Sequence, residues 1–188
     1  MRESSRFVTA AALFVLVCVP ALGLSCGAAA NEGTHPNGLT QGVRVDRLVL
    51  YKGAHRLEAY AGDTLLRTYA VAIGVGGAGD KQYEGDNRTP EGTYRIDSRH
   101  RSREFHRFLH VSYPNRDDRR RYRAARQAGE VPEGRGIGSA IGIHGTPTDF
   151  FGLRSAFDWT AGCIAVSNDE AEELFRAVRD DAVIEIHP

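Results

Sequence analysis

Three short segments between residues 43 and 74 alternate apolar and polar residues, and each ends in Gly or Gly-Asp. Alternation with a period of two places the apolar side chains of a strand on one buried face. Glycine and aspartate at the segment ends supply the turns between strands. The sequence therefore predicts a meander of three antiparallel strands, formed by VRVDRLVLYKG, HRLEAYAGD and TLLRTYAVAIG.

Five further strands and two helices are predicted after this meander. The strands lie in TYRID, FLHVSYP, GSAIGIHG, GCIAVS and AVIEI. One helix is predicted in NRDDRRRYRAARQAG, capped by Asn115 or Asp117 and ended by Gly129. A second helix is predicted in NDEAEELFRAVRD, capped near Asn168. The 21 glycines also favour many turns and short strands over a helical bundle.

The length and charge of the chain limit its organisation and its partners. A chain of 188 residues can form one good core and is short for two full domains. Its formal net charge is zero, so bulk electrostatics give no reason to expect a nucleic-acid partner. We therefore predict one β-rich domain with two helices.

Residues 1–30 have the order of regions found in a secretory signal peptide. Two arginines in MRESSR precede the apolar run Phe7–Leu24, and the small residues Ala28–Ala30 offer a cleavage site. Besides cleavage after Ala30, an uncleaved membrane anchor and a lipid-modified start at Cys26 are the alternatives. All three export the protein and limit membrane contact to this segment. Residues 31–42 are polar and rich in turn formers, and are predicted to form a flexible tether.

Cys163 is the only cysteine outside this N-terminal segment, because Cys18 and Cys26 lie within it. It therefore has no partner for an intramolecular disulfide in the exported domain. A lone thiol in an oxidising compartment is either buried and inert or kept for its reactivity. A metal site is not predicted, since one cysteine and histidines without tight ligand spacing do not match one.

A candidate partner for this thiol is His144, which ends the predicted strand IGIH and is followed by Gly145. Cys163 begins a second apolar run and is preceded by Gly162. Residues at strand ends can face a site while the strands hold them in place. A histidine within hydrogen-bond reach raises the thiolate fraction of a cysteine, which is otherwise low at neutral pH. A core cysteine and a histidine without catalytic function remain the alternative interpretation.

These residues resemble the L,D-transpeptidase family of the YkuD type, the cysteine enzymes that remodel bacterial peptidoglycan. Three pieces match in order within residues 43–188: RLVLYKGAHRLEAYAGDTLLRTYAVAIG, then GDNRTPEGTYRI, then IHG followed by TAGCIAVSN. The resemblance implies a mainly β fold, a β-sandwich-like L,D-transpeptidase catalytic domain with one or two peripheral helices. It also implies a location in the periplasm or cell envelope.

The resemblance implies a role for each residue that matches the family's motifs. Cys163 is expected to be the nucleophile, and His144 its general base and acid. The backbone N–H groups of Gly162 and Cys163 are expected to bind the oxyanion. Gly145 follows the histidine, where a backbone carbonyl of the family orients the imidazole, and Thr160 stands in the Ser/Thr position of the signature.

Two positions depart from the family pattern, and both concern the orientation of the substrate. Many members have histidine and arginine where this chain has Ala161 and Ala165. Arg88 in GDNRTP and Tyr113 in SYPN are the residues expected to contact the substrate.

The reaction implied by the resemblance is acyl transfer without a cofactor. Cys163 attacks the carbonyl at the L-centre of a diamino acid in a peptidoglycan tetrapeptide stem, and D-alanine leaves. The amine of a second stem or of a protein lysine then resolves the thioester. Water in that role makes the chain a thiol carboxypeptidase or hydrolase of the same peptides. A catalytically lapsed cell-wall binding module is the alternative from another class of protein.

Overall fold

The predicted meander opens the fold in the computed structural model, which describes residues 38–147 and 157–188. β1 (Val45–Tyr51), β2 (Arg56–Ala61) and β3 (Thr64–Ala70) pair antiparallel in this order. A 3-10 turn, Lys52–Ala54, joins β1 to β2. The predicted signal peptide and most of the predicted tether lie outside the described residues.

The remaining elements are five strands and two helices. β4 (Gly92–Ser102) and β5 (His106–Val111) form an antiparallel hairpin. The other elements are α1 (Arg116–Gln127), β6 (Gly142–His144), β7 (Ile164–Ala165), α2 (Asn168–Ala177) and β8 (Val178–His187). The prediction of a mainly β fold with two helices is confirmed.

The strands of the described residues form one sheet in the order β3-β2-β1-β8-β4-β5-β6-β7. β8 lies between β1, to which it is parallel, and β4, to which it is antiparallel. The chain after β3 reaches the opposite edge of the sheet. There Ala72 and Ala165 exchange two backbone hydrogen bonds, of 3.0 and 2.8 Å, and Gly74 bridges to Thr160. Because the two edges meet at this point, the sheet curls on itself and β7 is paired on both sides.

The hydrophobic core lies along the central strands and under α2. Three consecutive residues of β1, Leu48–Leu50, are buried, so this strand is covered on both of its faces. Ile184 and Ile186 extend the core along β8, and Leu174 adds to it from α2. α2 packs against β5 and β6. The core therefore supports the strands that carry the candidate site.

The first helix begins where the sequence predicts. The Asn115 side chain accepts hydrogen bonds from the N–H groups of Asp117 and Asp118, and Asp118 accepts one from the Asn115 N–H in return. Asp118 is buried and also accepts the hydroxyl hydrogen bond of Tyr94 from β4, at 3.1 Å. This capping box therefore attaches α1 to the sheet.

The second helix is capped near Asn168, as predicted, and differs from its prediction at the C-terminal end. Ser167, one residue before Asn168, caps α2 through a capping box with Glu170. The predicted continuation to Asp180 is wrong, because the helix ends at Ala177. Val178 is fully buried and opposite Val45 of β1, so pairing with the sheet prevails over the helical pattern of apolar residues.

Candidate active site

Two adjacent strands carry the predicted pair. β6 ends at His144, and Cys163 directly precedes β7. β6 and β7 are parallel, with Ile143 opposite Ile164 and His144 opposite Ala165. Alternate residues of a strand share a face, and paired residues of neighbouring strands point to the same side. This register places the cysteine and the histidine on one face of the sheet, two positions apart along the strands.

The imidazole of His144 is buried among aromatic rings. The side chain is 2% exposed. Its ring centroid lies 4.3 Å from that of Phe105, 5.9 Å from that of Phe108 and 5.6 Å from that of Trp159. Burial among these rings lowers the pKa of His144 below its ordinary value, and a hydrogen bond to the Gly145 carbonyl opposes the shift. The imidazole is therefore neutral near pH 7.

A single hydrogen bond determines which imidazole nitrogen can act as a base. Nδ1 of His144 lies 2.6 Å from the carbonyl oxygen of Gly145. A carbonyl oxygen only accepts hydrogen bonds, so Nδ1 carries the proton and Nε2 keeps its lone pair. The N–H of Gly145 donates to the Phe105 carbonyl at 3.0 Å, which holds the turn in place. The chain thus orients a neutral imidazole with Nε2 as the available base.

Cys163 is a free, half-buried thiol. Its Sγ–H donates to the Ala140 carbonyl at 3.4 Å. Burial raises the pKa of this thiol, while the N–H of Gly142 and the charge of Lys81 oppose the shift. The resting state is therefore a protonated thiol beside a neutral imidazole.

No direct hydrogen bond between Sγ of Cys163 and the imidazole of His144 occurs in the described part of the chain. Bonds between a nucleophile and its base are commonly loose in substrate-free enzymes and tighten when the substrate binds. The shared face and the unprotonated Nε2 are therefore compatible with proton transfer once the substrate is bound.

A short turn holds the cysteine in place. The Thr160 hydroxyl donates to the Cys163 carbonyl at 2.7 Å and accepts from the Gly162 N–H at 3.1 Å. Thr160, the signature threonine, is 5% exposed and contributes to the structure of this turn. In this structure the Gly162 N–H is engaged within the turn, and its binding of the oxyanion stays a prediction. The same role stays a prediction for the Cys163 N–H.

Gly162 cannot be replaced without strain at this turn. Its φ is +129°, and a β-carbon there would lie 2.7 Å from the Arg88 carbonyl oxygen, a backbone atom. Gly162→Ala is expected to destabilise the fold by about 1–3 kcal/mol and to slow alkylation of Cys163, measured by urea unfolding and iodoacetamide labelling. Gly129→Ala is the control, because φ is +76° there and a β-carbon would have no atom within 4 Å. Equal effects of the two variants on labelling would contradict this assignment.

The two residues predicted to contact substrate have different surroundings. Arg88 is partly buried beside the turn, where its N–H donates to Asp86 at 3.0 Å and its Nε donates to the Gly76 carbonyl at 3.3 Å. Tyr113 lies in the hydrophobic core, is 3% exposed, and donates its hydroxyl hydrogen to the Ile137 carbonyl at 3.1 Å. Tyr113 therefore has a structural role in the core, and contact with the substrate stays a prediction for both residues.

The two departures from the family pattern occupy different environments. Ala161 is exposed at the turn that precedes the cysteine. Ala165 is 3% exposed, and its backbone N–H and carbonyl both bond Ala72. The small side chain at 161 leaves the surface next to Cys163 without a histidine.

Several groups around the pair were missed from the sequence. They are the aromatic rings around the histidine, the Gly142 N–H that bonds the sulfur, and the Lys81 charge. Gly142 could have been found from its place two residues before His144 in IGIH, since it shares the face of the histidine. The rings of Phe105 and Trp159 come from distant parts of the chain, and no local pattern indicates them.

The fold and this site define a class, a mainly β domain that presents a cysteine and a neutral histidine at the ends of adjacent strands. The chain belongs to the L,D-transpeptidase catalytic domain family (YkuD), whose model matches residues 45–186. The matched range contains both His144 and Cys163. No curated protein matches the chain.

Solved structures share this fold. The helical cell shape determining protein Pgp2 from Campylobacter jejuni is 25% identical, with a TM-score of 0.54 over 77% of this chain and 48% of that one. Bd1075 from Bdellovibrio bacteriovorus is 21% identical, with a TM-score of 0.52 over 78% of this chain and 49% of that one. An L,D-transpeptidase from Xylanimonas cellulosilytica is 12% identical, with a TM-score of 0.51 over 79% and 63%. The chain thus covers less than two thirds of each of these proteins.

The helices of residues 38–147 and 157–188 are all too short or too polar to cross a membrane.

Proposed function

We propose that the chain is an exported cysteine L,D-transpeptidase that acts on peptidoglycan stem peptides. Residues 1–30 direct export to the periplasm or cell envelope, and residues 31–42 tether the catalytic domain. Family membership supports the reaction class. The observation that carries the assignment of residues is the hydrogen bond from Nδ1 of His144 to the Gly145 carbonyl, which leaves Nε2 as the base on the strand beside Cys163.

The first half-reaction forms a thioester on the enzyme. Nε2 of His144 takes the proton of Cys163 as the sulfur attacks the carbonyl at the L-centre of the diamino acid in a tetrapeptide stem. The backbone N–H of Cys163 stabilises the oxyanion of the tetrahedral intermediate. As the intermediate collapses, the imidazolium returns the proton to the amine of the leaving D-alanine. The stem acyl group then remains on Sγ, and the imidazole is neutral again.

The second half-reaction transfers the acyl group to an amine. Nε2 of His144 takes a proton from the amine of a second stem, or of a protein lysine, as its nitrogen attacks the thioester. Collapse of the second tetrahedral intermediate forms an amide and releases the thiolate, which recovers the proton from the imidazolium. Water in place of the amine gives a free carboxylate instead, which is the hydrolase alternative.

Incubation of the purified protein with tetrapeptide muropeptides tests this function by mass spectrometry. We expect loss of D-alanine together with new cross-linked products. Loss of D-alanine without cross-links would identify the thiol carboxypeptidase and overturn the transpeptidase proposal. Unchanged muropeptides would identify a lapsed binding module, and a carbapenem that failed to add to Cys163 would agree with that outcome.

A further inference from the structure

A buried lysine lies behind the candidate nucleophile. Lys81 is 7% exposed, and its Nζ lies 2.7 Å from Oδ1 of Asp86. Moving an ammonium group out of water is costly, and an ion pair returns only part of that cost. A buried lysine therefore needs an explanation in the structure around it.

Lys52 shows how a buried lysine is satisfied when its role is structural. Its Nζ donates to three acceptors, the Gly79 carbonyl at 2.6 Å, the Thr89 carbonyl at 2.9 Å and Glu91 at 2.8 Å. An ammonium group has three N–H donors, so each of them is used. Within the described residues, Lys81 has a single acceptor, Asp86. The described residues therefore supply an acceptor for one of its three N–H donors.

The Lys81–Asp86 pair connects the two segments that contact the cysteine turn. Asp86 accepts the Arg88 N–H at 3.0 Å, and the Arg88 carbonyl packs against Gly162. On the other side, Cε of Lys81 lies 3.5 Å from the position of a β-carbon on Gly138. Two residues later, the Ala140 carbonyl accepts the hydrogen bond of Cys163 Sγ. The pair therefore lies between the loops that support the sulfur.

The negative charge of Asp86 is shared among several donors. Burial alone would raise the pKa of this carboxyl, but hydrogen bonds from Lys81 and from backbone N–H groups of Arg88 and Gln82 bring it below its ordinary value. The carboxylate is thus ionised and bonded by the loop backbone.

The other charged groups on these loops are exposed or half-buried, and Asp80 and Glu91 are among the half-buried ones. Glu84 and Arg135 lie near each other at the surface, with Arg88 partly buried. His144 faces the cysteine from β6 and is neutral, and β7 brings no charged residue. Charges in solvent are screened, whereas a buried charge acts at nearly full strength. Lys81 and Asp86 are both buried, and the charge of Lys81 is the one that opposes the raised pKa of Cys163.

We propose that Lys81, fixed by Asp86, is an electrostatic positioning residue that holds a positive charge behind Cys163 and favours the thiolate. This inference rests on the proposed function, in which the thiolate is the nucleophile. Lys81 acts through the cysteine and takes part in no bond to the substrate. The lysine thereby offsets part of the burial that disfavours ionisation of the thiol.

The test is the pH dependence of alkylation of Cys163 by iodoacetamide, read on the Cys163 peptide by mass spectrometry because Cys18 and Cys26 also react. Lys81→Met is expected to move the titration to higher pH. A shift of about half a unit to one unit lowers the thiolate fraction at pH 7 about three- to tenfold. Lys81→Arg retains the charge and is expected to restore most of the rate.

Asp86→Asn separates the electrostatic role from a structural one. It removes a negative charge and keeps the lysine, so the titration is expected to move to lower pH, opposite to the shift in Lys81→Met. Loss of loop structure alone would move both variants in the same direction, which would overturn the proposal. Lys52→Met is the matched control, a buried lysine whose loss is expected to leave the titration in place.

The remaining outcomes are also decisive. A wild-type titration in folded Lys81→Met overturns the proposal, and so does a shift of the same size in Lys52→Met. If Lys81→Met does not fold, the direction in which Asp86→Asn moves the Cys163 titration decides whether the proposal holds. Alkylation needs no stem peptide, so these results are independent of whether the protein is a transpeptidase.

Discussion

Cys163→Ala is expected to abolish D-alanine release from tetrapeptide muropeptides. The thiolate supplies the bond to the substrate, so its deletion removes the covalent route altogether. No other cysteine of residues 31–188 can replace it. Cys163 packs in a turn held by backbone bonds and by Thr160, so loss of one sulfur atom is expected to leave the fold intact. The measurement is the initial rate of D-alanine release, with circular dichroism to check folding.

Cys163→Ser is the matched variant, because it keeps a hydrogen-bond donor at nearly the same position. A serine hydroxyl is far less acidic than a thiol, and an imidazole of lowered pKa is a weak base for it. We therefore expect this variant to be inactive as well. A folded Cys163→Ala protein that released D-alanine at a rate near that of the wild type would end the transpeptidase proposal.

The meander was predictable because its information is local. β1, β2 and β3 pair in the predicted antiparallel order, with Gly53 and Gly62 in the connections between them. The cap of α1 was equally local, since Asn115 and Asp118 lie three residues apart. Alternation and capping depend on neighbours in the chain, and these elements agree with their predictions.

The closure of the sheet was not predictable in the same way. The run TLLRTYAVAIG indicates one strand, yet the structure ends β3 at Ala70 and pairs Ala72 with Ala165 at the opposite edge. The end of α2 has the same cause, because Val178 fits a helical face and also fits the pairing with Val45. In both places a contact between distant segments determines which of two locally possible structures forms.

Part of the candidate site is indicated by the local sequence, and part of it depends on contacts between distant segments. His144 and Cys163 could be named because each lies beside a glycine at the end of an apolar run. The pKa of His144 depends on rings from the β4–β5 hairpin and from Trp159, which no spacing relates to the histidine. The sequence therefore indicates the candidate catalytic residues, and the tertiary packing determines their protonation states.

His144→Ala is expected to retain slow activity, in contrast to loss of the cysteine. General acid–base catalysis is worth on the order of 10² to 10⁴ in rate, so D-alanine release is expected to fall by that factor. The variant keeps the nucleophile and a small thiolate fraction, reduced further because burial raises the pKa of the thiol. It has no proton donor for the leaving amine. His144→Gln is the companion variant, since it fills more of the buried space and supplies no base.

The pH dependence of D-alanine release tests whether His144 is the base. In the wild type, activity is expected to fall as the pH drops through the pKa of His144, which burial places below its ordinary value of about 6.5. In His144→Ala that acid limb disappears. The rate is then expected to rise with pH up to the raised pKa of Cys163, because ionisation of the thiol becomes the remaining requirement.

His187→Ala is the control for loss of a histidine, because His187 stacks on Tyr51 on the part of the sheet away from the pair. It is expected to keep the wild-type rate and pH profile. High pH is expected to recover part of the acylation rate of His144→Ala but not all of it, since no group returns a proton to D-alanine. A His144→Ala protein with the wild-type rate and an unchanged acid limb would show that another group is the base, and the assignment of Nε2 would be wrong.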